Sequence, residues 1–194
     1  APDGVRIYSR NENDVTVSFP ELAGLGAAHP GLLLDGEVVA FHEGRPDFGV
    51  LAERMHVGNH RRAAQLAERI PVTLLAFDLL ECAGRSLLDA PLAERRRLLV
   101  DQGIAEDRWQ VPPAYDDGDM LLHATLDQGL EGMVSKRLSS RYQPGARSRH
   151  WLKFPHRQRG SFVVGGWRRE TDSAATSNRL GAVLVGEPTA AGLR

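Results

Sequence analysis

Two long apolar stretches, residues 31–41 and 72–80, constrain the fold more than any other feature of this chain. Both are rich in Val, Leu and other strand-forming residues, so we predict two strands that pair with each other. Alternation with period two places Asp35 and Glu37 on the same face of the first strand. Acidic side chains within an apolar strand are unusual, which marks this sheet as a candidate functional site.

Helix and strand signals alternate along the rest of the chain, which indicates an α+β fold with antiparallel sheets. We predict a hairpin from residues 5–8 and 15–19, and helices at 49–56, 61–68, 91–101 and 119–128. Further strands are predicted at 133–136, 151–154, 162–167 and 180–185, the last without an obvious partner. In the helix at 91–101, we expect Arg95, Arg96 and Arg97 to face outward.

Composition excludes several classes of protein. A length of 194 residues with 42% hydrophobic and 25% charged residues fits one globular domain, or one domain and part of a second. The single cysteine, Cys82, cannot form an internal disulfide. No apolar run reaches the roughly 18 residues that a membrane span needs, and no charged-then-apolar leader is present. We therefore expect a cytoplasmic protein with no membrane partner.

Charge is unevenly distributed along the chain. Ten of the 24 Lys and Arg residues, and none of the 25 Asp and Glu residues, lie between residues 132 and 169. The other residues hold 14 cations against 25 acids, so a basic segment adjoins an acidic part although the net charge is only −1. Such a segment suits a polyanion. The alternative is a solvated face whose cations pair with acidic loops of the same protein.

Lysine is rare in this chain, because 22 of the 24 cations are arginine and only Lys136 and Lys153 are lysine. Where arginine is the default cation, a lysine that remains is expected to be needed for its own chemistry. Its compact ammonium contacts a single phosphate oxygen, and as an amine it can act as a nucleophile. We therefore predict functional roles for both lysines.

Five short motifs follow one another along the chain, with Phe19-Pro20-Glu21-Leu22 after the first and the turn Tyr142-Gln143-Pro144-Gly145 before the last. They are Ser9-Arg10-Asn11, Asp35-Gly36-Glu37, Phe77-Asp78-Leu79-Leu80, Glu131-Gly132-Met133-Val134-Ser135-Lys136 and Trp151-Leu152-Lys153. Each is weak alone. In this order and spacing they resemble the covalent nucleotidyltransferase superfamily, and most closely the adenylation domain of ATP-dependent DNA ligases of the bacterial end-joining type.

The resemblance implies a fold and a domain organisation. We expect an α+β nucleotidyltransferase (ATP-grasp-like) adenylation domain with antiparallel sheets over residues 1–158, and the first strands of an OB-fold over residues 159–194. Both domains are expected to be incomplete. The family's nucleophilic lysine lies in a Lys-x-Asp-Gly motif that this sequence lacks. We expect that lysine to precede residue 1, so that the chain alone does not form an enzyme–AMP intermediate.

The resemblance also implies ATP and Mg²⁺, or Mn²⁺, as cofactors. Transfer of an adenylyl group spreads negative charge over the phosphates, which requires cations and carboxylates that hold a divalent metal. Glu37 and Glu131 match the metal-binding carboxylates, and Glu37, Lys136 and Lys153 the catalytic groups. The residues that match the family's ATP contacts are Arg10, Glu37, Phe77, which would stack on adenine, Lys136, Arg147 and Lys153. The two acids and two lysines are expected to converge around one triphosphate.

Nicked or broken double-stranded DNA is the substrate that the resemblance implies, with end-joining proteins or fused polymerase and nuclease domains as partners. We assign the remaining cations of the basic segment to DNA phosphates, where dispersed charge gives affinity without sequence choice: Arg137, Arg141, Arg149, Arg157 and Arg159. Trp151 and Trp167 are expected in the core rather than against bases.

Two other interpretations stay open at this point. The absent Lys-x-Asp-Gly motif, together with Pro155 where the family often has a second lysine after Lys153, is compatible with a degenerate module that binds nucleotide or nicked DNA without chemistry. An RNA ligase or a capping-type transferase of the same superfamily is the third interpretation.

Overall fold

The computed structural model describes residues 4–157, 160–170, 180–190 and 192–194, and the chain divides into two compact units, Ala1–His156 and Arg157–Arg194. The first unit holds the helices Gly24–Ala28 (α1), Phe48–Ala52 (α2), His60–Arg69 (α3), Leu92–Asp101 (α4) and Gly118–Asp127 (α5). Its strands are Leu32–His42 (β1), Arg45–Pro46 (β2), Val72–Cys82 (β3), Arg85–Ser86 (β4), Ala105–Glu106 (β5), Trp109–Gln110 (β6), Gly132–Lys136 (β7) and Trp151–Pro155 (β8).

The two long predicted strands, β1 and β3, pair antiparallel at the centre of the main sheet, as expected. The order of strands is β2-β1-β3-β6-β5, and β4 pairs with β3. One apolar cluster of Ala76, Leu79, Leu87, Leu99 and Ile104 joins the sheet to α4. The predicted α+β architecture is confirmed, because helices pack against a sheet that is mainly antiparallel.

A β-bulge in β3 sets the position of Phe77. The register passes from the pair Asp35–Asp78 directly to Gly36–Ala76, so Phe77 has no partner residue on β1. A bulge of this kind locally redirects a side chain and is common beside functional sites. Gly36 lies at the same break in the register. The two strands approach closely there, since a Cβ on Gly36 would lie 2.8 Å from the carbonyl oxygen of Leu75.

The strands β7 and β8 form a separate antiparallel hairpin that carries both lysines. Val134 lies opposite Lys153, and Lys136 lies opposite Trp151. Because residues two apart share a face of a strand, both lysines are on one face of this hairpin. Glu131 precedes β7, so the alternation of side chains between the two faces of that strand does not apply to it.

The amino-terminal hairpin is only partly formed. Tyr8 and Asp14 make a single antiparallel bridge, and Val15 donates its amide hydrogen to the carbonyl of Ile7. The predicted second strand is instead two 3₁₀ turns, Thr16–Ser18 and Pro20–Leu22. That part of the hairpin prediction is wrong.

The second unit contains the strands Val163–Arg169 (β9), Leu180–Gly186 (β10), Pro188–Thr189 (β11) and Gly192–Leu193 (β12). β10 pairs antiparallel with β9, so the expectation that the last predicted strand lacks a partner is wrong. Trp167 is 62% exposed, which contradicts its predicted place in a core. The assignment of this unit to an OB-fold stays a prediction. Within the described residues, no helix is both long and apolar enough to span a bilayer.

Candidate functional site

A cavity of about 360 Å³ in the first unit is bounded by β1, α2, the turn before β7, and the hairpin β7–β8. Three of the four charged residues that were predicted to converge line it: Glu37 from β1, Glu131 from the turn and Lys153 from β8. Apolar side chains, among them Phe48 and Met133, complete the lining. The sheet and the hairpin thus bring Glu37 to the same cavity as Glu131 and Lys153, which lie 94 and 116 positions further along the sequence.

Glu131 and Lys153 form an ion pair at this cavity. The Nζ atom of Lys153 lies 3.6 Å from Oε2 of Glu131, and both side chains are largely exposed. An exposed pair at this separation contributes little to stability. Both groups therefore remain accessible to a charged ligand.

Lys136 lies outside the lining of the cavity and sits on two aromatic rings. Its Nζ atom is 3.7 Å from the centre of the Phe77 ring and 3.9 Å from that of Trp151. The arrangement follows from the register, which sets Lys136 opposite Trp151, and from the bulge that holds Phe77. An ammonium over an aromatic face is attracted by the ring quadrupole.

The surroundings of Lys136 change its acidity. Burial lowers its pKa to about 8, although the nearby carboxylates of Asp78 and Asp35 act in the opposite direction. The amine is therefore mostly protonated at neutral pH, and it loses its proton as the pH rises through about 8. Because burial has already removed part of its hydration, this ammonium suits a charge-assisted hydrogen bond to a phosphate.

The aromatic residues around Lys136 form a chain of edge-to-face contacts. The ring of Phe77 meets that of Trp151 at 5.9 Å, and Trp151 meets Tyr142 at 6.0 Å. Trp151 is half-buried, so it lies at the border of the site and not in the interior that we predicted. Phe77 is also half-buried. Neither ring lines the cavity of Glu37, Glu131 and Lys153.

A buried ion pair supports the strand that carries Phe77. Nε and Nη2 of Arg95 each donate to Asp78 at 2.8 Å, and both side chains are fully buried. The Nη1 atom of Arg95 donates to the carbonyls of Ala90 and Ser140. The prediction that Arg95 faces outward is therefore wrong, because a carboxylate inside an apolar strand requires a cation. Asp78 itself was the signal that could have identified this partner.

Tyr142 was singled out only as part of a turn, but it makes a second long-range contact. Its hydroxyl donates to Oδ2 of Asp35 at 2.7 Å. Burial and this hydrogen bond raise the pKa of Tyr142, so the phenol keeps its proton. The guanidinium of Arg95 lies 5.7 Å from the centre of its ring.

Six of the seven predicted arginines lie in the described part of the chain, where they are exposed and outside the lining of the cavity. Arg137 and Arg141 border a second cleft of about 350 Å³ with Ser139, Ser140, Gln143 and His150. Arg141 also lies 3.4 Å from Asp89. The other exposed arginines are Arg10, Arg147, Arg149 and Arg157. Arg159 lies outside the described residues.

The carboxylates of Glu37 and Glu131 fit a divalent metal that binds together with the phosphates of a substrate. Among the described residues, no group of three or more His, Cys, Asp or Glu side chains could hold an ion by itself. Mg²⁺ commonly binds through one or two carboxylates together with substrate phosphates and water. The donor set of Glu37 and Glu131 at one cavity matches that pattern.

The chain is similar in sequence to several known proteins. The sequence model of the family described as "ATP dependent DNA ligase domain" matches residues 1–154. The multifunctional non-homologous end joining DNA repair protein LigD of Mycobacterium tuberculosis is 34% identical over 193 residues, which are 98% of this chain and 24% of that protein. DNA ligase 1 of Korarchaeum cryptofilum is 36% identical over 160 residues, which are 78% of this chain and 29% of that protein.

Two solved structures at 33% identity show the same fold. A structure of mycobacterial DNA ligase D complexed with ATP and MES has a TM-score of 0.70 and covers 99% of this chain and 58% of its own. The ligase domain of M. tuberculosis LigD has a TM-score of 0.67, with 99% and 59% covered. The chain spans about a quarter of the length of the LigD proteins that it matches, since 24% of each is covered.

Proposed function

The chain belongs to the family of ATP-dependent DNA ligases, and from that membership we propose that it forms the ATP-binding part of an enzyme that seals breaks in DNA during repair. The observation that carries the proposal is the cavity that Glu37, Glu131 and Lys153 share. Lys136 on the neighbouring ring of Phe77 extends the same cluster of charge. Charges that converge in this way suit a nucleoside triphosphate with its divalent ion.

In the proposed reaction, a lysine amine attacks the α-phosphorus of ATP, a P–N bond forms and pyrophosphate leaves. The AMP then moves to the 5′-phosphate of a nick, and the adjacent 3′-hydroxyl displaces it. Glu37 and Glu131 would hold Mg²⁺, which would supply positive charge to the phosphate oxygens. The attacking lysine of the family belongs to a Lys-x-Asp-Gly motif that does not occur in this sequence, so we assign binding and charge stabilisation, not nucleophilic attack, to the residues described here.

Lys153 and Lys136 have the chemistry to stabilise the transition state. Negative charge grows on the α-phosphate and on the departing pyrophosphate, and fixed cations beside these oxygens lower the barrier. Lys153 is exposed at the cavity, while Lys136 lies on the same face of the hairpin two residue positions away. A triphosphate laid along this face would reach both ammonium groups.

Phe77 is proposed to stack on the adenine, for which its bulged position beside the lysines is suitable. The Nζ atom of Lys136 occupies one face of this ring. A base that stacks on that face displaces the amine from the ring. Such a displacement would free the ammonium for a phosphate of the same nucleotide.

The seven predicted arginines are proposed contacts for the rest of the substrate. Arg10 and Arg147 are assigned to the nucleotide. Arg137, Arg141, Arg149, Arg157 and Arg159 are assigned to the phosphates of nicked or broken duplex DNA. We also propose that the second unit begins an OB-fold, and that end-joining proteins or fused polymerase and nuclease domains cooperate with the complete protein.

Replacement of Phe77 with alanine is expected to weaken the binding of ATP·Mg²⁺ about 5- to 150-fold, because stacking of a base on an aromatic side chain contributes about 1–3 kcal/mol. Isothermal titration calorimetry on the 194-residue chain measures this directly, and it does not depend on the nucleophile. Phe41→Ala is the matched control, since Phe41 is a half-exposed phenylalanine of β1 outside the cavity lining. Equal affinities for the two variants, or no binding by the wild type, would contradict the proposed function.

A further inference from the structure

Two carboxylates lie opposite each other on the central strands. Asp35 of β1 is the register partner of Asp78 of β3, and residues paired in this way project from the same face of a sheet. Asp78 is fully buried and Asp35 is half-buried. Neighbouring charges of the same sign in such a setting are unfavourable unless each has a partner.

The two carboxylates have partners of different kinds. Asp78 is neutralised by the bidentate guanidinium of Arg95, whereas Asp35 accepts a hydrogen bond from the uncharged phenol of Tyr142 at 2.7 Å. Tyr142 is fixed in turn, because its amide donates to the carbonyl of Leu88 at 2.9 Å. The phenol therefore donates a hydrogen bond to the Asp35 carboxylate without neutralising its negative charge.

Two cations near this pair of carboxylates are held by neither of them: Arg96, whose guanidinium donates to the carbonyls of Phe77 and Pro112, and Lys136. The charged groups that act on Lys136 are Asp78 and Asp35, which favour its ammonium form, and Arg96 and Arg95, which oppose it. Within the described part of the chain, no carboxylate lies within 4.0 Å of its Nζ atom. The amine rests on Phe77 and Trp151 instead.

We propose that Tyr142 is a positioning residue for Lys136: by occupying the Asp35 carboxylate, its hydroxyl leaves the ammonium unpaired on Phe77 and Trp151, where a nucleotide phosphate can take it. This inference rests on the proposed function, because it assumes that Lys136 serves a phosphate. Without the phenol, the half-buried Asp35 carboxylate would have no side-chain donor among the described residues. The ammonium of Lys136, which already feels the charge of Asp35, would then move to it and form an ion pair that competes with the phosphate.

The chain offers a direct measurement, because Lys136 and Lys153 are its only lysines. Reductive methylation with ¹³C-formaldehyde labels both lysine amines together with the α-amine, and the signal that is missing from Lys136→Arg is assigned to Lys136. Each signal is followed by NMR as a function of pH without any ligand. In the wild type, the Lys136 signal should titrate with a pKa of about 8. In Tyr142→Phe, the pKa of Lys136 should rise by about 1 or more, because an ion pair with Asp35 favours the charged form. The Lys153 signal is the internal reference.

Two further variants separate positioning from a general loss of packing. Tyr115→Phe removes a hydroxyl from an exposed tyrosine and should leave the titration of Lys136 unchanged. In the double variant Tyr142→Phe/Asp35→Asn, no carboxylate remains at position 35 to recruit the amine. The pKa of Lys136 should then fall to the wild-type value or below it, because Asp35 also favours the charged form in the wild type. An unchanged Lys136 titration in Tyr142→Phe, or a pKa that stays raised in the double variant, would overturn the inference.

Calorimetry with ATP·Mg²⁺ then links the position of Lys136 to binding. Tyr142→Phe should weaken binding about tenfold, the effect of losing one charged hydrogen bond, and the double variant should recover it. Failure of the wild type to bind ATP would remove the proposed function, while the ligand-free titration would still decide whether Tyr142 places Lys136.

Discussion

Replacing Arg95 with methionine is expected to lower the free energy of unfolding by about 3–5 kcal/mol, because it leaves the buried carboxylate of Asp78 without its cation. Arg95 makes two hydrogen bonds of 2.8 Å to Asp78, and neither side chain is exposed to solvent. It also binds the carbonyls of Ala90 and Ser140. Urea denaturation followed by circular dichroism measures the change.

Arg97 provides a control on the same helix with the same pair of residue types. Its Nη1 atom lies 2.7 Å from Asp101, but both side chains are more than half exposed. Arg97→Met should therefore cost only about 0–1 kcal/mol. The double variant Arg95→Met/Asp78→Leu should regain most of the loss, since removing both partners leaves no buried charge. Similar destabilisation by Arg95→Met and Arg97→Met would show that the pair has no special structural role.

Replacing Gly132 with alanine is expected to destabilise the chain by about 3 kcal/mol and to weaken ATP binding at least about tenfold. Gly132 has a φ of +134°, a conformation that costs other residues about 1–3 kcal/mol. A Cβ there would also overlap the carbonyl oxygen of Phe154 and lie 2.8 Å from Cα of Pro155, and such overpacking costs about 1–3 kcal/mol more. Relief of the clash would separate the hairpin that carries Lys136 and Lys153.

Gly58→Ala is the control for this substitution, because a Cβ at Gly58 meets no atom within 4 Å and its φ is not positive. It should change the unfolding free energy by less than about 0.5 kcal/mol. Denaturation and ATP calorimetry on both variants test the prediction. If Gly132→Ala binds ATP as tightly as Gly58→Ala does, the hairpin does not position the lysines as described.

Local patterns predicted the elements whose apolar periodicity is strong. The strands β1 and β3 and the helices α3 and α4 lie within one or two residues of their predicted bounds. The alternation of apolar and polar residues at 15–19 wrongly predicted a strand, because side chains there bind backbone amides. The carboxylate of Asp14 accepts a hydrogen bond from the amide of Thr16, and the hydroxyl of Thr16 accepts one from the amide of Ile7. Such local hydrogen bonds favour turns over a strand.

Contacts between distant residues could not be read from local patterns. Motif order placed Glu37, Glu131 and Lys153 at one site, and the structure does bring them to one cavity. The order of the motifs did not predict that Tyr142 donates a hydrogen bond to Asp35, 107 positions away, or that Arg95 turns inward to Asp78. These pairings depend on how α4 and the loop before β8 pack on the sheet, and no periodicity encodes them.

The central claim is that one nucleotide binds among Glu37, Glu131, Lys153 and Lys136, with its base on Phe77. A crystal structure of this chain soaked with ATP and Mn²⁺ tests it most directly, because anomalous scattering locates the metal. We predict adenine on the ring of Phe77, phosphates beside the two lysines, and a manganese peak at the carboxylates of Glu37 and Glu131. A nucleotide bound elsewhere, or manganese away from both carboxylates, would contradict the account.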